Sequence, residues 1–160
     1  MGYYKTYIQM EQKGSVVYET INDFGIYATD IPFRPSNEVQ DVFSRVWKDE
    51  DGDDEYIPPT GLKMKSYKIN MKFSCKGDRY GVNDSIIKFI NYLKQGSMKI
   101  YDEYTKIGRR GVRLLGLNDN ATLSRSEDED ILVFTVSLKV NDPITDIRPK
   151  YINGKIIDLV

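Results

Sequence analysis

KSYKINMKFSC, residues 65–75, is the stretch that decides the fold. Tyr67, Ile69, Met71, Phe73 and Cys75 alternate with Lys68, Asn70, Lys72 and Ser74. Successive side chains of a strand point to opposite faces, so this pattern makes a half-buried strand with one apolar and one solvated side. ILVFTVSLKV, residues 131–140, has the same texture, with Leu132, Phe134, Val136, Leu138 and Val140 facing inward. Long alternating strands with one wet face belong to antiparallel sheets.

Shorter signals surround these two. YYKTYIQM (3–10) and SVVYETI (15–21) read as strands joined through EQKG, where Gly14 suits a tight turn. Gly25, Pro32 and Pro35 punctuate the connection that follows. From Asn37 to Lys48, the apolar residues Val39, Val42, Phe43, Val46 and Trp47 fall on one helical stripe, which predicts a short amphipathic helix capped by Ser36 or Asn37. A second helix is expected over about residues 84–95, capped by Asn83 and ended by Gly96, with Ile86, Phe89, Ile90 and Leu93 as its core stripe. SMKIYDEY (97–104) and RGVRLLGL (110–117) read as strands joined through Gly108, and DNATLSRSEDED (119–130) reads as a polar loop. Asn153-Gly154 between apolar pairs predicts a closing hairpin, a C-terminal arm over 150–158. The expected fold is mainly β (α+β): one domain over residues 1–160, an antiparallel β-sandwich or partial barrel with one flanking α-helix.

Composition narrows the chemistry. The 160 residues suit a single core, and the net charge of −1 gives no electrostatic case for nucleic-acid binding. The chain has no histidine, which removes the commonest general base and the commonest zinc ligand. Its one cysteine, Cys75, lies on the apolar side of the strand and reads as a buried thiol. No apolar run is long enough to span a bilayer, and no signal-peptide pattern opens the chain.

Two charged clusters remain. In KDEDGDDEYIPP (48–59), carboxylates occupy Asp49, Glu50, Asp51, Asp53, Asp54 and Glu55, between Trp47 and Tyr56. Counted as an EF-hand from Asp49, the sixth position is Asp54 where glycine is required, and the twelfth is Thr60 where glutamate is required. A looser calcium site through Asp49, Asp51 and Asp53 is the surviving metal reading, and makes a calcium-dependent binding module the alternative function. Paired carboxylates act as acid and base only in a cleft that splits their pKa values, and nothing in the pattern builds one. The basic cluster is Lys106, Arg109, Arg110 and Arg113; it lacks the phosphate-loop spacing and reads as a charged hairpin tip. No catalytic residue and no cofactor site is expected.

The order FGIYATDIPF, RVWKDEDGDDEYIPP, KSYKINMKFSCKG, a helix, IYDEYTKIGRRGVRLLG and FTVSLKVNDPITDI resembles the tail proteins of long-tailed phages and prophages. It is most like the distal tail (baseplate hub-ring) type of prophage-like elements in gut bacteria, over roughly residues 20–147. Tail-tube and tail-terminator proteins share a similar fold. The resemblance implies a structural protein made in the bacterial cytoplasm and assembled into a virion tail. It implies a β-sandwich with a flanking helix, built into a ring of usually six copies around a lumen that DNA traverses. The partners would be other copies and other tail proteins, with no enzyme activity, cofactor, membrane or small-molecule substrate. Distal tail proteins often carry a second, C-terminal domain, for which this chain has no room. The resemblance also implies that residues 37–47 are more extended than their helical period suggests.

A closed ring needs two different, complementary patches on each subunit. The sequence offers them as Asp49–Glu55 and Lys106–Arg113, so the acidic run is expected to dock on the basic cluster of the next subunit, with Trp47 and Tyr56 as apolar anchors. The alternatives are an acidic run lining the lumen, where it would repel DNA phosphates, or two solvated loops.

Overall fold

A computed structural model describes residues 4–30, 33, 38–78, 81–118, 121–126 and 128–160. Its elements, in chain order, are β1 (Thr6–Met10), β2 (Tyr18–Glu19), α1 (Thr20–Phe24), β3 (Ile26–Asp30), β4 (Ser44–Val46), β5 (Asp53–Glu55), β6 (Tyr67–Gly77), α2 (Gly81–Leu93), β7 (Met98–Asp102), β8 (Gly108–Leu117), β9 (Thr122–Arg125), β10 (Asp130–Val140), β11 (Pro149–Ile152) and β12 (Lys155–Leu159). Eight strands form one antiparallel sheet in the order β2-β1-β7-β8-β10-β6-β3, with β9 also on β10. The sheet curls into a half-barrel. The chain is thus mainly β, as its alternation predicts.

The two strands with the clearest alternation form the centre. β6 and β10 pair in register from Tyr67–Val140 to Gly77–Asp130. Ile69, Met71, Phe73 and Cys75 meet Phe134, Val136, Leu138 and Val140 on the buried face, with α2 packed over them. Phe89 of α2 sits at the middle, its ring 5.3 Å from Phe73, 5.4 Å from Phe24 and 6.5 Å from Phe134. Burial pushes the Cys75 thiol pKa upward, against a hydrogen bond from Ser85 that lowers it.

A second, smaller cluster lies on the opposite face of the sheet. There Tyr101, Ile147 and Leu159 are buried together, with Tyr7, Val17 and Ile156 against them. The hairpin β11–β12 forms around Asn153, whose φ of 50° lies in the left-handed region that Asn tolerates, and Gly154. It is tied to the sheet: the buried Gln9 side chain accepts from the Leu159 amide at 3.0 Å and donates to the Ser15 carbonyl at 3.0 Å. The Lys99 ammonium donates to the Leu159 carbonyl at 2.8 Å.

Several local expectations are corrected. The stretch 38–48 is not a helix: its described residues are extended, with β4 inside them. A helical stripe is stabilised only if it meets a core, and Phe43 and Val46 are 71% and 70% exposed. The β-branched Val39, Val42 and Val46 favour extended backbone where nothing packs on them. The proposed caps Ser36 and Asn37, with Pro32 and Pro35, lie outside the described residues, as does Tyr3. Only Tyr18–Glu19 of the predicted strand 15–21 pairs; the chain then turns into α1, buries Phe24, and ends at Gly25 with φ 67°. Helix α2 begins at Gly81, whose amide donates to the Asp78 carbonyl, so Asn83 stands in the first turn rather than as the cap. The polar stretch 119–130 contains β9, which continues the line of β8 along β10; residues 119, 120 and 127 lie outside the described residues.

Gly108 is where the sheet and the C-terminal segment come closest. A methyl group there would run into the carbonyl oxygen and side chain of Ile147. Gly108→Ala is expected to cost about 1–3 kcal/mol in urea unfolding, because backbone rather than a flexible side chain must move. Gly116→Ala, where a methyl group meets only open space, is the control and should lie within about 0.5 kcal/mol of the parent.

Candidate functional site: the acidic arm and the basic strands

Residues 38–65 form a two-tier antiparallel excursion between β3 and β6. At its base, the Gln40 amide donates to the Lys63 carbonyl at 2.7 Å, and the Lys65 amide to the Glu38 carbonyl at 2.8 Å. Val39 bridges Met64, and Lys65 pairs with Asp41 at 3.1 Å. At its outer end β4 and β5 pair as Ser44–Glu55, Arg45–Asp54 and Val46–Asp53. Gly52, with φ 88°, takes the left-handed conformation that lets the acidic run turn back.

Every residue of β4 and β5 is exposed. So are Phe43, Trp47, Tyr56, Ile57 and Leu62 around them. Pleating places Val46, Asp53 and Glu55 on one face, and Arg45 with Asp54 on the other. The Arg45 guanidinium lies over the Trp47 ring, 4.7 Å from its centroid. Asp49, Glu50 and Asp51 occupy the exposed turn. Among the described residues no three His, Cys, Asp or Glu side chains come together as a metal ion would require, so Asp49, Asp51 and Asp53 are strung along the arm rather than gathered. The acidic run is therefore the tip of a projecting arm that carries aromatic side chains.

The basic cluster does not stay together. Arg109 is 3% exposed; the register sets it opposite Ile100 of the main core, whereas its neighbour Gly108, opposite Tyr101, faces residues 145–160. Its Nη1 donates to the Gly108 carbonyl at 3.0 Å and lies 3.7 Å from Asp146. Asp146 in turn accepts from the Gly108 amide at 3.1 Å and pairs with Arg148 at 2.6 Å. Arg148 also donates to the carbonyl of Lys106, which holds a left-handed φ of 57°. The placement of Arg109 on an assembly surface is thus corrected: it is an internal tie between β8 and the C-terminal segment. A sequence of RR in a hairpin carries no sign of this, because the covering segment lies far along the chain. Arg109→Glu is expected to destabilise the fold by about 3–5 kcal/mol, seen as a lowered urea midpoint, since it buries a carboxylate beside the like charge of the more exposed Asp146.

Arg110 is exposed but engaged within its own chain. Its Nε donates to Asp142 at 2.8 Å. Burial works against the Asp142 charge, but that bond and the amides of Thr145 (3.0 Å) and Ile144 (3.3 Å) outweigh it and hold the carboxyl down to about 2, from an ordinary 3.8. Of the basic set, Lys106 and Arg113 are exposed without an ion pair among the described residues, and Arg113 reaches the Leu114 carbonyl at 3.5 Å.

What sequence reading missed is the company that Arg113 keeps. It stands opposite Lys139 of β10, and Lys139 stands opposite Lys68 of β6. These three cations form a straight row across adjacent strands on the open half of the sheet's outer face. The signal was present in the alternation of 65–75 and 131–140, but only the register joins the three. A scan of protein-family models and a search of curated proteins each find nothing that matches this chain.

The Asp142 clamp fixes a pH response. Its folded pKa lies below its unfolded one, so its contribution is complete above about pH 4 and is lost as pH falls towards about 2. Thermal melts of Asp142→Asn should be lower than the parent at neutral pH and converge on it through that acid window.

Proposed function

We propose that this chain is a structural subunit that assembles with copies of itself into a ring, as in the distal tail, tube or terminator parts of a phage or prophage tail. On this reading the ring surrounds a passage for DNA, and the finished protein resides in a virion tail. The observation that carries the reading is the exposed arm. An isolated two-stranded hairpin is marginal in water, and one bearing Phe43, Val46, Trp47 and Tyr56 leaves apolar surface wet that association would bury. Soluble monomers rarely keep aromatic side chains projecting on such an element, whereas interfaces are enriched in them. The order of segments that resembles tail proteins supports the same reading, because the arm falls in the RVWKDEDGDDEYIPP portion.

Sedimentation velocity tests it directly. At about 1 mM protein, even an interface worth about −4 kcal/mol is half formed. The expected result is a closed oligomer with a central hole in negative-stain images. Phe43→Ser combined with Trp47→Ser should return the chain to a monomer while leaving its thermal unfolding within a few degrees of the parent, since neither residue touches the core. A parent chain that stays monomeric at that concentration, or an arm variant that assembles unchanged, would defeat the proposal.

A further inference from the structure

Building on that self-assembly reading, we infer that the surface receiving the arm is the outer face of β6, β10 and β8 of a second copy, centred on Lys68, Lys139 and Arg113, together with the apolar groove beside Arg113.

The first ground is an unexplained cost. Lys68 lies directly opposite Lys139, and Lys139 directly opposite Arg113. Cross-strand partners have side chains about 5 Å apart, and like charges there are destabilising. None of the three is in an ion pair with a described residue. Neighbouring positions on the same face show the ordinary solution: Ser137 hydrogen-bonds Asn70 and Asn118, each at 2.8 Å. A bare cationic row in the middle of a sheet is relieved by an anionic partner laid across it. The arm has the complementary pattern. Asp53 and Glu55 stand two residues apart on one face of β5, about 7 Å apart along the strand, within the span of the row.

The second ground is the groove. Between the end of α2 and β8 is a cavity of about 580 Å³, lined by Ile90, Leu93, Leu114, Leu115 and Leu117, with Arg113 and Lys94 at its polar positions. The groove opens on the α2 side of β8 and the row lies on its outer side, so the two meet around the open strand edge at Arg113. The arm carries the same two characters side by side, aromatic Trp47 and Tyr56 flanking the carboxylates. The third ground is an open strand edge. β7 pairs with β8 only as far as Val112, so from Arg113 to Leu117 the edge away from β10 has no strand among the described residues. Such an edge presents backbone donors and acceptors to an added strand, the commonest way a hairpin docks on a sheet.

The occupant is a second copy because both halves of the match are on this chain, on different surfaces. That is the arrangement from which a closed ring is made. The other half of the outer face cannot serve, since residues 145–160 already cover it.

Charge exchange tests the assignment. One variant carries Lys139→Glu with Arg113→Glu; another carries Asp53→Lys with Glu55→Lys. All four side chains face outward; the first variant makes the 68–139 pair attractive and keeps a like-charge pair at 139 and 113, so it should unfold within a few degrees of the parent. Each variant alone should sediment as a monomer at concentrations where the parent assembles. Mixed in equal amounts, they should co-assemble, because each arm then faces an acceptor of opposite charge. Assembly of the parent and the mixture should weaken as salt is raised. If the Lys139→Glu, Arg113→Glu variant assembles like the parent, or the mixture fails to assemble, the acceptor is wrong. The arm variant of Phe43 and Trp47 separates the two levels. If it is monomeric while the acceptor variant assembles, self-assembly through the arm stands and only this acceptor falls. If both assemble, both readings fall.

Discussion

The ladder between β6 and β10 runs unbroken over eleven pairs, and the rest of the molecule is laid on it. Its inner side supplies most of the surface that α2 covers. Its flanks take β3 on one edge and, on the other, β8 and then β9. Because the pairing is antiparallel and the period is two, one register sets the destination of every side chain on both strands. The register that brings Phe73 against Phe134 also brings Lys68 against Lys139. A shift by one residue would bury lysines and expose the core. The cationic row is therefore a fixed by-product of the packing, in place as soon as the core forms.

The outer face of the sheet is divided. Over β1, β7 and the start of β8 it is roofed by the C-terminal segment, where Gly108 meets Ile147 and Tyr101 is buried against Ile147 and Leu159. Over β6, β10 and the end of β8, Lys68, Asn70, Lys72 and Arg113 are exposed and Lys139 is half-buried. Two adjacent arginines have different fates. Arg109 is buried opposite Ile100, on the side away from the roof, and Arg110 is exposed and meets Asp142. Three residues on, Arg113 emerges on the other half. Linear proximity of charge said little about which of these could meet a partner.

The legible part of the fold was the part governed by local periodicity and burial together. Residues 67–75 and 131–140 alternate because one face is packed, and both are strands. Ile86, Phe89, Ile90 and Leu93 recur at helical spacing because a helix lies on that face. Val39 to Trp47 imitate the same spacing without a core to meet, and the backbone there is extended. Periodicity reports a face only where something covers it. β9 escaped notice for the related reason that all four of its residues are exposed, so no alternation marks it. The acidic half of the candidate site was visible as composition. The cationic row of Lys68, Lys139 and Arg113 was not legible, because a row made across three strands has no signature along any one of them.

The bond between Gln9 and the Leu159 amide closes a loop of 150 residues. During synthesis, the Gln9 side-chain oxygen must wait for Leu159, 150 residues on, before it accepts this bond. The roof needs residues 145–160 and so settles late, while the arm over 38–65, held by local pairing, can form long before. A nascent chain displays its arm ahead of the ladder that aligns Lys68 with Lys139, so the acidic and the cationic surfaces mature at different times.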